Sequence, residues 1–427
     1  MDGLVVWIHH CNFSMLRDNQ RLNHFPNHYE FTRKDLLYKT LRKYKRHLER
    51  NGKAGESDRL NFFPLTYILP QDYGMFREEF KRHQGALWIA KPLGQAQGRG
   101  IFLVSKLAQL SEWRVDNRQF GPTIGSKQPS IQTLQNPDDQ TADQVQDENQ
   151  QKEKDKTYLV QKYIDNPFLV GGKKFDLRIY VLVTSFLPLT VWLYRTGFAR
   201  FSFHRFSMDS ADVENSYVHL TNVAIQKHSP TYDPTQGCKW DLRQLKGYIA
   251  SRYSWPVANK LFYDIQQLLI LVLQAAQQVI IHDRHCFEMY GFDVLIDSNL
   301  KPWLLEVNAS PSLTADTPMD YHLKYVLLND MFDVVDLENK KKGKGSNIIG
   351  QISASSPPTQ SNESGSETNV GGFDLVYKGN AAVPCPFAPG LLSQLGTCND
   401  LDRFPHELPE RLKNYEKERL LHLQKPD

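Results

Sequence analysis

The chain has 427 residues, 40% of them hydrophobic and 23% charged, and its formal net charge is +3. These values are ordinary for a soluble globular protein with one large enzyme domain or two to three smaller ones. The five cysteines show no CxxC spacing, which argues against a disulfide framework or structural zinc site and favours a reducing compartment. No signal peptide or bilayer-length apolar run is visible, so we expect an intracellular protein without a membrane anchor.

Residues 33–50, RKDLLYKTLRKYKRHLER, are strongly basic and carry leucines at roughly helical spacing. This pattern predicts an amphipathic helix. Its charged side is either an ordinary solvated surface or a binding face for an acidic partner, and the two interpretations are compatible.

Residues 86–105 follow the pattern strand, loop, strand, with Lys91 at the end of the first strand and the glycine-bearing loop GQAQGRG soon after it. Glycines let a backbone approach phosphates closely, and a nearby lysine supplies positive charge. A tight hairpin turn would explain the same loop. The polar stretch 117–156 predicts an insertion outside the core, and the segment TYLVQKYI predicts that a strand follows it.

The segment GGKKFDLRIYVLV predicts a strand with one charged and one apolar face, and LTVWLYRTGFARFS is its predicted hairpin partner. Lys174, Asp176 and Arg178 alternate with apolar residues, and side chains two apart on a strand point to the same side. Two cations and an anion on one face suit the phosphate and ribose groups of a nucleotide. Cross-strand ion pairs on an ordinary edge strand would suit them equally.

Two further strands are predicted around the turn Asp297-Ser298-Asn299. A hairpin closed at this turn places Asp293 opposite Glu306, and Asn308 shares the face of Glu306. Their oxygens are the ligands that Mg²⁺ prefers. A solvated hairpin face is the alternative. The apolar neighbours in LLEVN indicate burial, however, and a buried carboxylate needs a metal or another cation beside it.

The segment HLTNVAIQK contains Thr221 and Asn222, which are polar ligands or simply part of a capped turn before a helix. The sequence has no GxSxG nucleophile elbow, no cysteine in a persuasive local context and no recognised nucleic-acid-binding module. Serine or cysteine nucleophilic chemistry therefore has no motif to support it but stays an open alternative, and we expect no nucleic-acid binding.

Taken in this order, several segments resemble the tubulin-tyrosine-ligase-like family over roughly residues 22–335. They are WIAKP, QGRGIFLV, VQKYIDNPFLVGGKKFDLRIYVLV, YRTGFARF, YVHLTNVAIQK, GCKW, CFEMYGFDVLID and LKPWLLEVNASPSL. The stretch NHYEFTRKDLLYKTLRKYKR and the segment VGGFDLVY make the polyglutamylase branch the one that the chain resembles most. The resemblance implies an ATP-grasp fold of the α/β (α+β) class, with a nucleotide between two mixed or antiparallel sheets.

The predicted division has four parts. Residues 1–82 form a smaller, incomplete N-terminal domain with the basic helix. Residues 83–170 form the central ATP-grasp subdomain with the polar insertion, and residues 171–338 form the C-terminal subdomain with the magnesium site. Residues 339–427 form a linker and tail.

The resemblance also implies a role for particular residues. Catalysis would rest on Arg178, Arg200 and Glu306, and Mg²⁺ would be held by Asp293, Glu306 and Asn308. Free L-glutamate would bind Arg200, Lys239 and Lys324, whose cations match its two carboxylates. ATP would contact Lys91, Gln97, Gly98, Gln161, Lys162, Tyr163, Ile164, Lys174, Phe175, Asp176, Thr221 and Asn222.

The implied reaction is the ATP-dependent ligation of glutamate, through an acylphosphate, to glutamate side chains in the acidic tails of tubulin. Microtubules would be the partner, further subunits would be needed in some cases, and the expected location is the cytoplasm and cytoskeleton, including the cilium or flagellum axoneme and basal body. A glycine ligase of the same family and a non-catalytic microtubule-binding scaffold are the alternatives. Glycine lacks the side-chain carboxylate that the three cations would bind.

Overall fold

Two antiparallel sheets organise the protein, seen here in a computed structural model. The structure describes residues 16–17, 20–113, 157–209, 212–229, 238–315, 317–336, 368–383 and 393–397. The predicted mixed α/β architecture with two sheets is confirmed. The polar insertion and the charged C-terminal segment lie outside the described residues.

The smaller sheet has four strands in the order β1-β4-β2-β3. Their bounds are β1 Thr66–Leu69, β2 Trp88–Pro92, β3 Phe102–Val104 and β4 Tyr158–Lys162. The predicted strand-loop-strand pattern is confirmed, because β2 and β3 pair antiparallel on either side of the glycine loop. Helix α4, Tyr73–Arg82, packs its Phe76 against Trp88 of β2.

The larger sheet has eight strands, with the central order β10-β11-β6-β5-β8-β9. The bounds are β5 Phe175–Phe186, β6 Leu189–Phe201, β7 Lys239–Asp241, β8 Glu288–Ile296, β9 Pro302–Asn308, β10 Asn369–Val370, β11 Phe373–Gly379 and β12 Ala381–Ala382. Strands β7 and β12 pair with β6 and β11 respectively. Strand β8 is buried along its whole length, which agrees with its nearly continuous apolar sequence.

Helices cover both faces of the larger sheet. The remaining bounds are α1 Tyr29–Thr32, α2 Lys34–Arg50, α3 Ala54–Asp58, α5 Ser216–His219, α6 Val223–Gln226, α7 Leu242–Arg252, α8 Trp255–Gln277 and α9 Pro318–Val335, with a 3-10 helix at Leu107–Trp113. Helix α8 is apolar on most sides and lies in the largest core cluster with residues of β5 and β8. On the other face, Leu323 and Leu327 of α9 pack with Tyr180 and Phe198. Within the described residues, the helices fall short of the length and apolarity that crossing a bilayer requires.

The basic stretch folds as predicted. Helix α2 buries Leu37, Leu41 and Leu48 in the largest core cluster, while Lys43 and Arg46 are exposed. The sequence pattern therefore produces one apolar stripe against the core and one basic face towards solvent.

Two of the predicted domain boundaries differ from the observed packing. Strand β1 pairs with β4, and Phe31 and Phe62 lie in the same core cluster as the larger sheet, so residues 20–82 do not pack as a separate unit. Residues 369–382, predicted as linker and tail, form β10, β11 and β12 and extend the larger sheet beside β6. All five side chains of the segment FDLVY are buried in this position.

Candidate active site

The hairpin of β8 and β9 brings the predicted metal ligands together. Asp293 is paired with Glu306, and Gly291 is paired with Asn308. The register shifts between Asp293 and Val294, where Leu305 is one extra residue on β9. The predicted closure of the hairpin around Asp297 is confirmed, and it places two carboxylates and an amide at one end of the larger sheet.

Two arginines hold the Asp293 carboxylate. Arg178 Nε lies 2.5 Å from Oδ1 and Nη2 lies 3.1 Å from Oδ2, while Arg200 Nη2 lies 2.8 Å from Oδ2. Arg200 also donates to both oxygens of Asp176, at 2.8 and 2.5 Å. Burial would raise the pKa of Asp293, but the two guanidinium groups hold it well below its ordinary value. The four side chains form one buried network of two arginines and two aspartates, in which Asp293 remains ionised across the physiological pH range.

The charged face predicted for β5 is real, and its apolar face is core. Lys174 and Asp176 line the first cavity, described below, whereas Phe175 is 1% exposed and lies in the main core cluster. The alternation of a strand forces this outcome, because Phe175 points to the side opposite its charged neighbours. Its side chain is therefore not in the position expected for an ATP contact.

A first cavity of about 970 Å³ lies between the two sheets. Lys91 of β2 enters it from one side and Lys174, the residue just before β5, from the other, and both side chains are buried. Lys91 donates to Gln161 at 2.8 Å, while Lys174 donates to the Tyr163 hydroxyl and the His219 carbonyl at 2.9 Å each. Burial lowers the pKa of Lys91 to about 8 and that of Lys174 to about 7. Burial disfavours the charged form of each lysine, and a negatively charged ligand beside it would stabilise that form.

The first cavity has an apolar part beside its charged part. Ile89, Ile101, Leu220 and Leu295 are among its lining residues. The other predicted ATP contacts that line it are Gln97, Gly98, Gln161, Lys162, Tyr163, Ile164, Asp176, Thr221 and Asn222. A flat apolar slot next to lysines and a glycine loop can accommodate a base at one end and phosphates at the other.

The glycine loop closes tightly over this cavity. Gly98 has a φ of +82°, and a Cβ there would lie 2.5 Å from Cδ1 of Ile225 and 2.9 Å from Oδ1 of Asn222. Its neighbour Gln97 also has a positive φ, of 61°. Only glycine satisfies both the backbone conformation and the close approach at position 98. The loop therefore packs against the HLTNVAIQK segment in addition to reversing the direction of the chain.

A second cavity, of about 1230 Å³, adjoins the first. Its wall contains four basic residues from the sequence prediction, namely Arg178, Arg200, Lys239 and Lys324. Glu306 and Asn308 line both cavities and Asp293 lines the first, so two of the three predicted metal ligands stand at the junction of the cavities. Gly291 makes room there, because a Cβ would lie 2.9 Å from Cβ of Pro311 and 3.1 Å from Cδ of Arg178.

Three residues at the site were not predicted from sequence. Lys34 at the start of α2 lines the first cavity with Nζ 3.6 Å from Oε2 of Glu306. Asp320 of α9 holds Lys239 at 2.5 Å and Lys324 at 2.9 Å. His219 supports Tyr163 with a 2.9 Å hydrogen bond, and burial followed by the nearby Lys174 lowers its pKa to about 4. Lys34, Lys239 and Tyr163 each come from a chain segment far from their partners Glu306, Asp320 and His219, and only the fold reveals such pairs.

The donor set at the junction suits Mg²⁺. Asp293 and Glu306 provide carboxylate oxygens, and Asn308 turns its Nδ2 towards the Gly291 carbonyl and Glu306 Oε1, at 3.3 and 3.4 Å. That orientation leaves the amide oxygen of Asn308 to face a cation. Hard divalent cations select oxygen ligands of this kind and complete their shell with water and phosphate.

Buried lysines in a slot between two antiparallel sheets, next to an oxygen-rich junction and a cationic second cavity, define a nucleotide-dependent ligase of the ATP-grasp type. The sequence profile of the tubulin-tyrosine ligase family matches residues 13–343, and the chain belongs to that family.

The chain is similar to several relatives over 75% or more of its own length. The chain is 44% identical over 381 residues to the rat "Probable tubulin polyglutamylase TTLL9", covering 86% of this chain and 76% of the relative. It is 43% identical over 369 residues to the "Probable alpha-tubulin polyglutamylase Ttll1" of Tetrahymena thermophila, covering 85% and 80% respectively. With the mouse "Tubulin polyglutamylase TTLL5" it shares 34% identity over 335 residues, which is 75% of this chain and 21% of that protein.

Proposed function

We propose that this protein is an ATP- and Mg²⁺-dependent ligase that adds glutamate to glutamate side chains of tubulin tails. The observation that carries the proposal is the junction of the two cavities at Glu306 and Asn308. An ATP-grasp ligase needs its nucleotide and its second substrate on opposite sides of one metal-binding point. The relatives named as tubulin polyglutamylases support the choice of tubulin as acceptor.

In the first step, a carboxylate oxygen of the acceptor attacks the γ-phosphorus of ATP. A P–O bond to that carboxylate forms, the bond to the β-phosphate oxygen breaks, and ADP leaves with the electron pair. Lys91 and Lys174 face the phosphates inside the first cavity and would neutralise charge that develops there. Arg178 lies on the second-cavity side of the junction, where the transferred phosphoryl group would arrive.

In the second step, the α-amine of free glutamate attacks the carbonyl carbon of the acylphosphate. The C–N isopeptide bond forms, the C–O bond to phosphate breaks, and inorganic phosphate leaves. Catalysis in both steps consists mainly of positioning and charge neutralisation, and no covalent bond to the enzyme is required.

Asp293, Glu306 and Asn308 would hold Mg²⁺. When bound there, the ion would offset negative charge on the phosphates and hold them in line. Arg178 and Arg200 keep Asp293 ionised and in place, and Mg²⁺ would share its oxygens with these two guanidinium groups.

The second cavity favours a dicarboxylic amino acid over glycine. Arg200 and the two lysines present more cations than the single α-carboxylate of glycine can use. Arg200 is paired with two carboxylates, Asp176 and Asp293, and the two lysines are both paired with Asp320. Existing ion pairs therefore do not single out one of these cations for the side-chain carboxylate.

Amino-acid incorporation tests this proposal. Tubulin, ATP and Mg²⁺ are incubated with the protein and labelled glutamate, glycine or tyrosine, and mass spectrometry locates the label. The proposal expects glutamate in isopeptide linkage on tail glutamates. Glycine incorporation in its place would support the glycine ligase alternative. Tubulin binding without incorporation of any amino acid would support the non-catalytic scaffold, once cell extract has supplied further subunits.

A further inference from the structure

A chain of hydrogen bonds joins a buried carboxylate to the second cavity. Oε1 of Glu288 lies 2.8 Å from Nδ1 of His24, and Nε2 of His24 lies 3.4 Å from Oγ of Ser310. Glu288 has no exposed surface and His24 is 9% exposed. Ser310 is exposed and lines the second cavity, two residues after Asn308. This series of hydrogen bonds therefore runs from the core to the place where an amino acid would bind.

The hydrogen-bond pattern fixes the direction of this chain. Oε2 of Glu288 accepts from the backbone N–H of Phe25 at 3.2 Å and from the hydroxyl of Tyr290 at 2.8 Å. Glu288 is thus an acceptor, and Nδ1 of His24 donates to its other oxygen. In the tautomer with its proton on Nδ1, His24 has its lone pair on Nε2, where it can accept the O–H of Ser310. An imidazole held by a carboxylate on one side and a hydroxyl on the other is the arrangement of a general base.

We propose that Glu288, His24 and Ser310 form a proton relay that activates the amine of the incoming amino acid. This inference rests on the proposed ligase function. An α-amine is largely protonated at neutral pH, and the ammonium form has no lone pair with which to attack. The enzyme must therefore remove a proton before the second step.

The proton balance of the relay is as follows. The ammonium gives one proton to the Ser310 oxygen while the Ser310 proton passes to Nε2 of His24. The neutral amine attacks the acylphosphate carbonyl, the C–N bond forms, and phosphate leaves with the electron pair of the broken C–O bond. The remaining surplus proton on nitrogen departs with the phosphate. His24 returns its proton to solvent through the open second cavity.

The other groups around His24 fit this role. The ring of His28 stacks on it with centroids 4.7 Å apart, and Glu288 and Tyr290 lie on its Nδ1 side. Ligand atoms of His24, His28 and Glu288 lie within 4.8 Å of one another, which raises the alternative of a metal site. The 2.8 Å contact between His24 and Glu288 is a direct hydrogen bond, however, and the two imidazoles are stacked at 28°. These features favour the relay.

Hydroxylamine separates the relay from the rest of the reaction. It is a nucleophile that is largely unprotonated at neutral pH, so it traps the acylphosphate as a hydroxamate without needing a base. The variants are His24→Asn and Ser310→Ala, with Ser310→Thr to restore the hydroxyl and His28→Asn as the matched control. The loop substitution Ser310→Ala leaves the core untouched, which covers the case that His24→Asn does not fold.

We expect both relay variants to lose about 10²-fold or more of glutamate ligation at pH 7, the usual contribution of a general base. ATP-dependent hydroxamate formation should stay within about twofold of wild type, because it precedes the proton transfer. Ligation by the variants should recover as the pH rises and solvent deprotonates the amine. Ser310→Thr should restore glutamate ligation relative to Ser310→Ala, and His28→Asn should leave glutamate ligation unchanged.

Two results would overturn the relay. One is a parallel loss of ligation and hydroxamate formation in Ser310→Ala. The other is loss of wild-type ligation on treatment with a zinc-selective chelator in excess Mg²⁺. A wild-type protein that forms neither hydroxamate nor ligated product would instead contradict the proposed function, so the two failures are distinct.

Discussion

Nζ of Lys239 lies 2.5 Å from Oδ2 of Asp320, a carboxylate with no exposed surface. Lys324, one turn further along α9, reaches the other oxygen at 2.9 Å. One buried carboxylate therefore fixes two ammonium groups on the wall of the second cavity. Fixed cations recognise a carboxylate better than mobile ones, since less side-chain freedom is lost on binding.

Removing the charge of Asp320 should impair amino-acid binding. In Asp320→Asn, we expect the KM for glutamate to rise about tenfold or more, as for loss of a charge-assisted hydrogen bond. The dissociation constant for ATP should not change, because Asp320 does not line the first cavity. Steady-state kinetics and ATP titration measure the two effects. Asp333→Asn on the exposed side of the same helix is the control, and an unchanged KM in Asp320→Asn would refute this role.

The two buried lysines make ATP binding dependent on pH. In the free protein the pKa is about 7 for Lys174 and about 8 for Lys91. Phosphates favour the protonated lysines, so above these pKa values ATP binding requires proton uptake. Between pH 7.5 and about 9, affinity should fall as pH rises, by up to about tenfold per unit for each lysine. Calorimetry in buffers of different ionisation enthalpy measures both affinity and proton uptake.

Lys174→Arg tests the assignment of that proton. Arginine stays charged at every relevant pH, so this variant should show less proton uptake and a flatter affinity profile. Linkage also predicts that the free wild-type protein becomes more stable as pH rises from about 7 towards the ordinary lysine pKa, because the unfolded chain then binds more protons. Equal proton uptake by both proteins would contradict the assignment.

A methyl group at Gly98 should weaken ATP binding specifically. Gly98 and Gly85 both have a positive φ, of +82° and +87°, but a Cβ at Gly85 meets no atom within 4 Å. Either alanine substitution should cost about 1 kcal/mol of stability for the backbone conformation. Only Gly98→Ala should also displace the loop from Asn222 and raise the dissociation constant for ATP. Chemical denaturation and ATP titration of the pair distinguish the two effects.

The exposed face of α2 is a candidate surface for the acidic tails of tubulin. Lys43 and Arg46 are exposed there, whereas Lys45 donates to Asn61 at 2.8 Å. Reversing the charge of Lys43 and Arg46 should weaken microtubule co-sedimentation at low salt, and added salt should reduce the difference. Lys378→Glu, at an exposed position near the end of β11, is the control. Equal microtubule binding by the two variants would contradict this hypothesis.

Periodicity accounts for much of what the sequence predicted. The alternation around Asp176 gave the charged face of β5, and the turn after Asp297 gave the pairing of Asp293 with Glu306. Both are local features, in which strand geometry alone determines which side chains share a face. The same rule shows that Phe175 belongs to the core, although the family resemblance had placed it at ATP.

The contacts that the sequence did not predict depend on packing between residues far apart in the chain. The contact of Lys34 with Glu306 joins residues more than 250 positions apart, and Asp320 meets Lys239 across the second cavity. No periodic signal encodes such a meeting. The role of residues 369–382 as a sheet edge was likewise invisible, because the alternation in FDLVY predicts a strand without identifying β6 as its partner.

Glutamate incorporation into tubulin by wild type and Glu306→Gln tests the central claim most directly. The substitution removes one carboxylate charge at the junction of the two cavities while keeping the size of the side chain, and Glu78→Gln on exposed α4 is the control. We expect ATP-dependent incorporation of labelled glutamate by wild type and the control, and a loss of about 10²-fold or more in Glu306→Gln. Incorporation by Glu306→Gln at the wild-type rate would contradict the account.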